Sequence, residues 1–543
     1  MSQNLLVKRY NIYSGMDIKY QGISICVDPA KITPQELETL NPDLILISHE
    51  SMDHMDPIQV YQLQKRKNCK IFCNIASAVD LIQYYFQDTE FIDSINVMLP
   101  NSTTCYKDIK ITAAISKHCD YMLPVIFRLD FLKCGHSVLH CIDTLIYENL
   151  DEISKGVDVS IIPIGIAKGV SAKLGMDFIN KLKSSVYTTN HFTDQNEELK
   201  TLVAENTTLA QNGVRVHFTD WNESCEISPG FLNKNNIETI TKNKFNKKSL
   251  NEIISSLNNS ESLENDLILI IEEFNYRKSK LMKKELVACL SEIYKSSNEK
   301  CKSLILMILS IVSVYDNYLI GMSFIDLLSS DLAVPINNSN EELKSSILFF
   351  LGIFSQQSAK IYHLKELSSN ASIENEHVAY WVVECLGRMG TSKSDQATVA
   401  AEELLKIVKQ DELFNSVIVR RRIFWEFHRL MKLKPSLGSM FIKYFSDGLC
   451  DSNPDVRLLA ELCIGVLSRT CDILDSDVMK KFVELDKDVE DDVREIFVRC
   501  WIMIHRYHPT IFNDHRNRIE NLLNDSNCHV RRAATEALAC DEN

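Results

Sequence analysis

Between residues 43 and 56 the chain reads Asp43-Leu44-Ile45-Leu46-Ile47-Ser48-His49-Glu50-Ser51-Met52-Asp53-His54-Met55-Asp56. Four apolar residues lead straight into a loop with two histidines and two aspartates. Neutral imidazole and carboxylate are the donors a divalent transition metal takes from a protein. A metal so held, with one position open, makes water nucleophilic near neutral pH and polarises a substrate oxygen. Three more candidates stand at the ends of apolar runs: His118 in Ser116-Lys117-His118-Cys119-Asp120, Asp143 in His140-Cys141-Ile142-Asp143-Thr144, and His191 in Thr188-Thr189-Asn190-His191-Phe192. A lone histidine after a strand is more often structural, so the inference rests on several of them in company. His136 and His140 are near enough to serve as substitutes, provided that strand alternation points them inward. Cys119 and Cys141, beside these positions, read as packed thiols.

Strands and helices must alternate to bring such residues to one place. Ile23 to Val27 ends in the turn Asp28-Pro29, and Gln35 to Leu40 gives a short helical turn before the strand Leu44 to Ile47. Pro57 to Lys67 reads as a helix with proline in its first turn, Lys70 to Cys73 as a strand, and Ser77 to Phe86 as a helix. Ile109 to Ile115, Val125 to Phe131, Ser137 to Ile142, Val159 to Ile164, Ser185 to Thr189 and Val214 to Phe218 are further strands. The pair around Gly135 forms a hairpin. Helices between strands that deliver polar residues at their ends predict a layered α/β sandwich over residues 1–230. Gly165 to Gly169 lacks the ending of a phosphate loop and reads as a loop beside the site, where Lys168 could meet an anionic substrate.

At 543 residues the chain is too long for one core. A formal net charge of −14 removes the basic footprint of a general nucleic-acid binder. The 17 cysteines are irregularly spaced and form no CxxC pair, which fits free thiols in a reducing compartment. No leader pattern opens the sequence and no stretch of about 18 uninterrupted apolar residues occurs. A cytoplasmic protein without membrane contact is expected.

Residues 231–264 turn to Asn, Lys and Ser and read as a linker or a solvated first helix. Beyond them, residues 265–543 read as helix after helix, and they repeat. Asp-x-x-x-x-Val-Arg recurs at Asp451 to Arg457, Asp488 to Arg494 and Asp525 to Arg531, placing Val456, Val493 and Val530 at intervals of 37 residues. Val419-Arg420 lies 37 residues earlier, Val378 a further 41, and weaker copies begin near Leu343 and Leu304. A helix pair cannot bury its apolar stripe alone, so neighbours must stack into an α-solenoid. Each arginine should then reach the aspartate of its own or the adjacent repeat. That register favours a ladder over a nucleic-acid groove for the arginines at 420 to 422, 531 and 532. Trp381, Trp425 and Trp501 read as core.

The repeat resembles HEAT repeats. The loop His49-x-Ser51-x-Asp53-His54 resembles the HxHxDH signature of the metallo-β-lactamase fold, matching at His49, Asp53 and His54 and departing at Ser51, where a second histidine is usual. His118, Asp143 and His191 follow in that family's order. Ile142-Asp143-Thr144 is similar to its Gly-Asp-Thr, and Asp28-Pro29 with Val159 to Gly165 resembles the branch containing L-ascorbate-6-phosphate lactonase. The resemblance implies an αββα sandwich over residues 1–230. His49 and His118 would face one metal, Asp53, His54 and His191 a second, and Asp143 would bridge them. It also implies one or two divalent ions, zinc first, with manganese or iron as alternatives, a metal-activated water as nucleophile, and Asp53 orienting that water or taking its proton. Serine is a poor ligand beside imidazole or carboxylate, which leaves the second position the complete one.

Two functions compete. One is a metal-dependent hydrolase of an ester, lactone or phosphodiester, with the HEAT-repeat domain recruiting a protein partner or macromolecular substrate. The other is a catalytically degenerate domain kept as an interaction scaffold. A nuclease is less favoured, because the chain is acidic and only 24 residues separate His118 from Asp143, too few for an inserted nucleic-acid-binding domain.

Overall fold

The structure is a computed structural model. It describes residues 5–11, 13–117, 121–133, 135–164, 173–182, 184–190, 196–206, 214–218, 224–227, 249–259, 263–272, 282–337, 340–470 and 477–539. The chain divides into two compact units, Met1–Lys295 and Ser296–Asn543.

The strands of the first unit are β1 (Leu5–Arg9), β2 (Met16–Tyr20), β3 (Ile23–Val27), β4 (Leu44–Ile47), β5 (Lys70–Cys73), β6 (Ile95–Val97), β7 (Thr103–Tyr106), β8 (Ile109–Ile115), β9 (Val125–Phe131), β10 (His136–His140), β11 (Val159–Pro163), β12 (Val186–Asn190), β13 (Arg215–His217) and β14 (Ser224–Ile227). They form two seven-stranded sheets, ordered β14-β1-β2-β3-β4-β5-β6 and β13-β12-β11-β10-β9-β8-β7. Each sheet is antiparallel in one half and parallel in the other, from β3 to β6 in the first and from β10 to β13 in the second. Parallel neighbours need crossover connections. Helices Pro34–Thr39, Pro57–Lys67 and Ile75–Tyr84 supply them in the first sheet, and Leu150–Ser154, Lys173–Leu182 and Asn196–Glu205 in the second. One apolar core joins the sheets, with Ile25, Leu44 and Leu46 from the first and Ile111, Leu129, Val138 and Ile161 from the second. Every residue of β4 is buried, as a strand covered on both faces requires.

Register explains where polar groups emerge. Leu46 pairs with Val27 on one side and Phe72 on the other, so Asp28 and Ser48 leave the sheet as neighbours, and the Asp28 N–H donates to the Leu46 carbonyl at 2.8 Å. The stretch read as a linker contains helix Leu250–Asn259.

The second unit is all-helical over its described residues. Glu299–Asp316, Glu341–Ser358, Glu376–Gly390, Val417–Leu433, Pro454–Leu467, Asp491–Tyr507 and Cys528–Ala539 pack each against the next in that order. Val378, Val419, Val456, Val493 and Val530 are all buried on these helices, with Trp381 and Trp501, while Trp425 is half-buried. The arginines tie the helices together. Arg457 grips the Asp488 carboxylate with two bonds of 2.7 Å and donates to the Asp451 carbonyl at 2.8 Å. Arg494 holds Asp525 at 2.7 and 2.9 Å and the Asp488 carbonyl at 2.7 Å. Arg420 holds Asp451 at 2.7 and 3.2 Å. Each guanidinium thus clamps the carboxylate of the following repeat while closing its own turn. Arg421 and Arg422 are also engaged, with Asp455, and with Glu384 and Glu426. Among the described residues one helix, extended as Glu299–Leu319, is long and apolar enough to cross a membrane. Interspersed serines break its apolar run, and most of that window is buried inside the protein.

Candidate metal centre

The loop after β4 is short and pinned at both ends. The Ser51 carbonyl accepts the N–H groups of His54 and Met55 at 2.9 and 2.7 Å, and the Asp56 N–H donates to the Pro29 carbonyl at 3.2 Å. Asp56 then caps helix Pro57–Lys67, its carboxylate accepting from the Ile58 and Gln59 N–H groups. The tight turn brings the rings of His49 and His54 together, tilted by 36° with centroids 4.1 Å apart.

Asp143 reaches the same spot from the other sheet. Its turn follows β10, where Ile142 holds a left-handed φ of 52° and donates its N–H to His140 Nδ1 at 3.0 Å. A β-branched residue adopts that conformation at a cost, which its surroundings must hold in place. The turn sets Asp143 Oδ2 2.9 Å from His54 Nε2. Donor atoms of His49, His54 and Asp143 all lie within 4.8 Å of one another, and all three residues are buried.

His54 is oriented from behind. Its Nδ1 lies 2.8 Å from Asp28 Oδ2 and 2.8 Å from Ser14 Oγ. Asp28 is itself fixed by the Ser48 N–H at 2.8 Å and by the hydroxyls of Ser48 and Ser14 at 2.9 and 3.0 Å. A carboxylate on one ring nitrogen fixes the tautomer and leaves the other nitrogen for a cation. Burial works against charge on His54, but Asp143, Asp53 and Asp28 together hold its pKa well above the usual histidine value. Asp53 Oδ2 stands 3.5 Å from His54 Nε2. Burial pushes the Asp53 carboxyl up, yet His54 and the hydrogen bond from Ser51 leave it below its ordinary value. Ser51, which stands where the resembled signature has its second histidine, thus spends its hydroxyl on Asp53. The Tyr121 ring lies 4.4 Å from that of His49. Asn74 steadies the neighbouring Met122 through its carbonyl at 2.9 Å.

The donor set fits a divalent cation: two imidazoles and a carboxylate converge, a second carboxylate stands beside them, and a buried carboxylate supports one imidazole. Of the six residues read as ligands, the structure brings together His49, His54 and Asp143 with Asp53 alongside. His118 and His191 lie outside the described residues, as do Cys119 and Lys168. The suggested substitutes point elsewhere. His140 donates from Nε2 to the Ser14 carbonyl at 3.0 Å and accepts at Nδ1, so both nitrogens are engaged. His136 packs beside Tyr20 with Nδ1 3.8 Å from Asp158. Cys141 is a core residue whose thiol burial pushes up, in keeping with a packed thiol. Asp28, Ser14 and Ser48 were not among the sequence candidates. The only signal was Asp28-Pro29 at a strand end, read as a turn and as part of the resemblance to the lactonase branch.

Residues 10–189 match the family described as the beta-lactamase superfamily domain. Similar solved structures include Igni18, a metallo hydrolase from the hyperthermophilic archaeon Ignicoccus hospitalis, at 18% identity and a TM-score of 0.35 over 41% of this chain and 99% of that one. YhfI, a metallo-beta-lactamase fold protein from Bacillus subtilis, is similar at 14% identity and a TM-score of 0.32 over 41% of this chain and 100% of its own. A homology model of the full-length AP-3 complex is similar at 14% identity and a TM-score of 0.44 over 54% of this chain and 51% of that one. No curated protein matches the chain. The family match runs from β2 to β12, across every strand that carries the cluster, and the N-terminal domain accordingly has a metallo-β-lactamase fold, followed by an all-helical region.

Proposed function

We propose that the N-terminal domain is a metal-dependent hydrolase acting on an ester, lactone or phosphodiester. The observation that carries this reading is the convergence of His49, His54 and Asp143, with His54 braced by Asp28. Those three and Asp53 would hold the cation, joined by His118 and His191 if the family order extends to them. Zinc suits such donors best, and manganese or iron also accept them. Bound there, a divalent cation supplies acidity to water and polarises a substrate oxygen. Asp53, kept ionised by His54 and Ser51 and partly open to solvent, orients the attacking water or receives its proton. Asp28 keeps His54 Nε2 turned toward the reacting side throughout. Elemental analysis of the purified full chain tests this, with hydrolysis of aryl esters, lactones and bis-nitrophenyl phosphate after zinc, manganese or iron is added. One or two ions per chain and turnover in the wild type, both lost in Asp143→Ala, are expected. Metal-free, inert wild-type protein overturns the reading.

The second reading, a degenerate fold retained as an interaction scaffold, draws on Ser51, whose hydroxyl replaces a ligand. In either reading the stacked helices, read as HEAT repeats, would recruit a protein partner or macromolecular substrate in the cytoplasm. Of the arginines that could have formed a basic groove, Arg420, Arg421, Arg422 and Arg532 pair with carboxylates and Arg531 turns to the Asp525 and Ser526 carbonyls, which makes nucleic acid the less favoured partner. Loss of a co-purifying protein on deleting residues 296–543 is the expected sign of recruitment.

A further inference from the structure

The loop that supports His54 makes a second contact. Ser14 touches His54 and Asp28, while the preceding residue, Tyr13, receives a hydrogen bond from Lys31 Nζ at 2.7 Å. The ammonium also lies 4.4 Å from the Tyr13 ring centroid. Lys31 comes three residues after Asp28, so the two sides of this contact are the same two segments that meet behind His54. Buried Asn11 joins them: its side-chain oxygen accepts from the Tyr13 and Gly15 N–H groups, each at 2.9 Å, and its amide donates to the Ala30 carbonyl at 2.8 Å. On the other side of Lys31, the backbone of Ile32 exchanges two hydrogen bonds of 3.0 Å with the side chain of Gln59. Gln59 belongs to the helix that Asp56 caps at the end of the metal loop.

Lys31 therefore sits between two pinned residues, in a left-handed backbone conformation with a φ of 49° that lysine rarely adopts. Among the described residues no carboxylate lies within ion-pair distance of its ammonium, whereas an exposed lysine elsewhere in this unit, Lys65, pairs with Asp88 at 2.8 Å. The segment that carries Lys31 is tied directly to the metal loop, where the Asp56 N–H donates to the Pro29 carbonyl at 3.2 Å. An ammonium has three donors, and Tyr13 takes one. A fixed, unpaired cation beside a hydrolytic centre recognises an oxyanion.

We propose that Lys31, propped by Tyr13, is a subsite for an anionic group of the substrate, so that the molecule hydrolysed carries a carboxylate or phosphate besides its scissile bond. This rests on the hydrolase reading above. The test compares phenyl acetate, para-acetoxybenzoate and para-acetoxyphenyl phosphate on the metal-supplied full chain. Wild type should prefer one anionic ester, and the preferred one identifies the group. Lys31→Met should cut the ratio of kcat/KM for that ester over phenyl acetate by at least about fivefold, and Lys31→Arg should keep it, since the charge is what discriminates. A smaller change in Lys31→Met, or equal losses in both variants, overturns the proposal. If Lys31→Met lowers Tm by more than about 5 °C, Lys31→Gly takes its place, because glycine accepts the left-handed backbone. If wild type cleaves none of the three esters, the hydrolase reading falls by itself. Calorimetry with inorganic phosphate then decides Lys31: binding at least about fivefold weaker in the variant supports the subsite, and equal binding removes it.

Discussion

In the helical unit three ladder arginines each meet a carboxylate of the following repeat: Arg420 takes Asp451, Arg457 takes Asp488 and Arg494 takes Asp525. Around His54 three carboxylates, Asp28, Asp53 and Asp143, share one imidazole. The first arrangement is complete as it stands, because charge and hydrogen-bonding capacity are matched rung by rung. The second carries surplus negative charge in a buried place. Deep in the helices Glu384 is balanced in the same way, for burial raises its carboxyl but Arg422 and Arg388 bring it below its ordinary value, whereas burial leaves Glu461 raised well above its own. Buried charge left unmatched is costly unless a ligand completes it. The contrast therefore sets the structural use of these side chains in the ladder against the functional use proposed for the cluster.

Removing Asp143 is the strongest way to break that contrast. Asp143→Ala should abolish stoichiometric metal and lower any hydrolysis by about a thousandfold or more, the scale set by losing a metal-held nucleophile; retained metal in the variant would mean that the cluster is as self-sufficient as the ladder.

Lys344 tests the helical side by pH. Its buried ammonium donates to the Leu332 carbonyl at 2.7 Å and to Asn370 at 2.6 Å, and burial lowers its pKa to about 8. Below that value the lysine is charged in folded and unfolded chains alike, and its burial counts fully against the fold. Between about 8 and the ordinary lysine value near 10.4 the unfolded chain binds more protons, so stability rises with pH in that window. The stability of wild type relative to Lys344→Met should therefore improve by up to about 3 kcal/mol from pH 7 to pH 10. Denaturant melts at the two values measure it, and a flat difference removes this exception to matched charge.

Asp28→Ala sharpens the comparison by leaving all ligands in place. Metal affinity should fall by about ten- to a hundredfold, as calorimetry reads it, because the orientation of His54 is lost. Unchanged affinity would make Asp28 a packing residue. The smallest effect belongs to one rung. A double-mutant cycle with Arg457→Met and Asp488→Ala should return a coupling of about 1 to 2 kcal/mol, fitting a half-buried two-bond pair. A coupling near zero would leave the ladder ornamental.

Much of the fold could be read from the chain because buried strands, parallel or antiparallel, are short and mainly apolar runs. β3, β4, β5, β8 and β9 and helix Pro57–Lys67 match their expected limits. β1, β2, β6, β7 and β14 gave no comparable signal. Leu5 to Arg9 and Met16 to Tyr20 mix charged residues into short strands, β14 pairs with β1 from the far end of the domain, and β6 has only three residues. At the site, His49, His54 and Asp143 carry their chemistry in their residue types. The support does not: Ser14, Ser48 and Asp28 are ordinary hydroxyls and a turn aspartate until the sheet register puts them against one ring. Ser51 could be identified as a departure, but its contact with Asp53 could not.

The turn at Ile142 ties the ligand set to the hydrophobic interior. Its backbone conformation is unfavourable, and its side chain is buried in the core shared by both sheets. What aims Asp143 is therefore oil as much as hydrogen bonds. A substitution that trims a methyl group well away from the ligands can loosen Ile142, swing the carboxylate and detune the centre while every polar contact partner is still present. Drift in metal preference during evolution or engineering of this domain should accordingly trace to apolar positions around Ile142 as readily as to the ligands themselves.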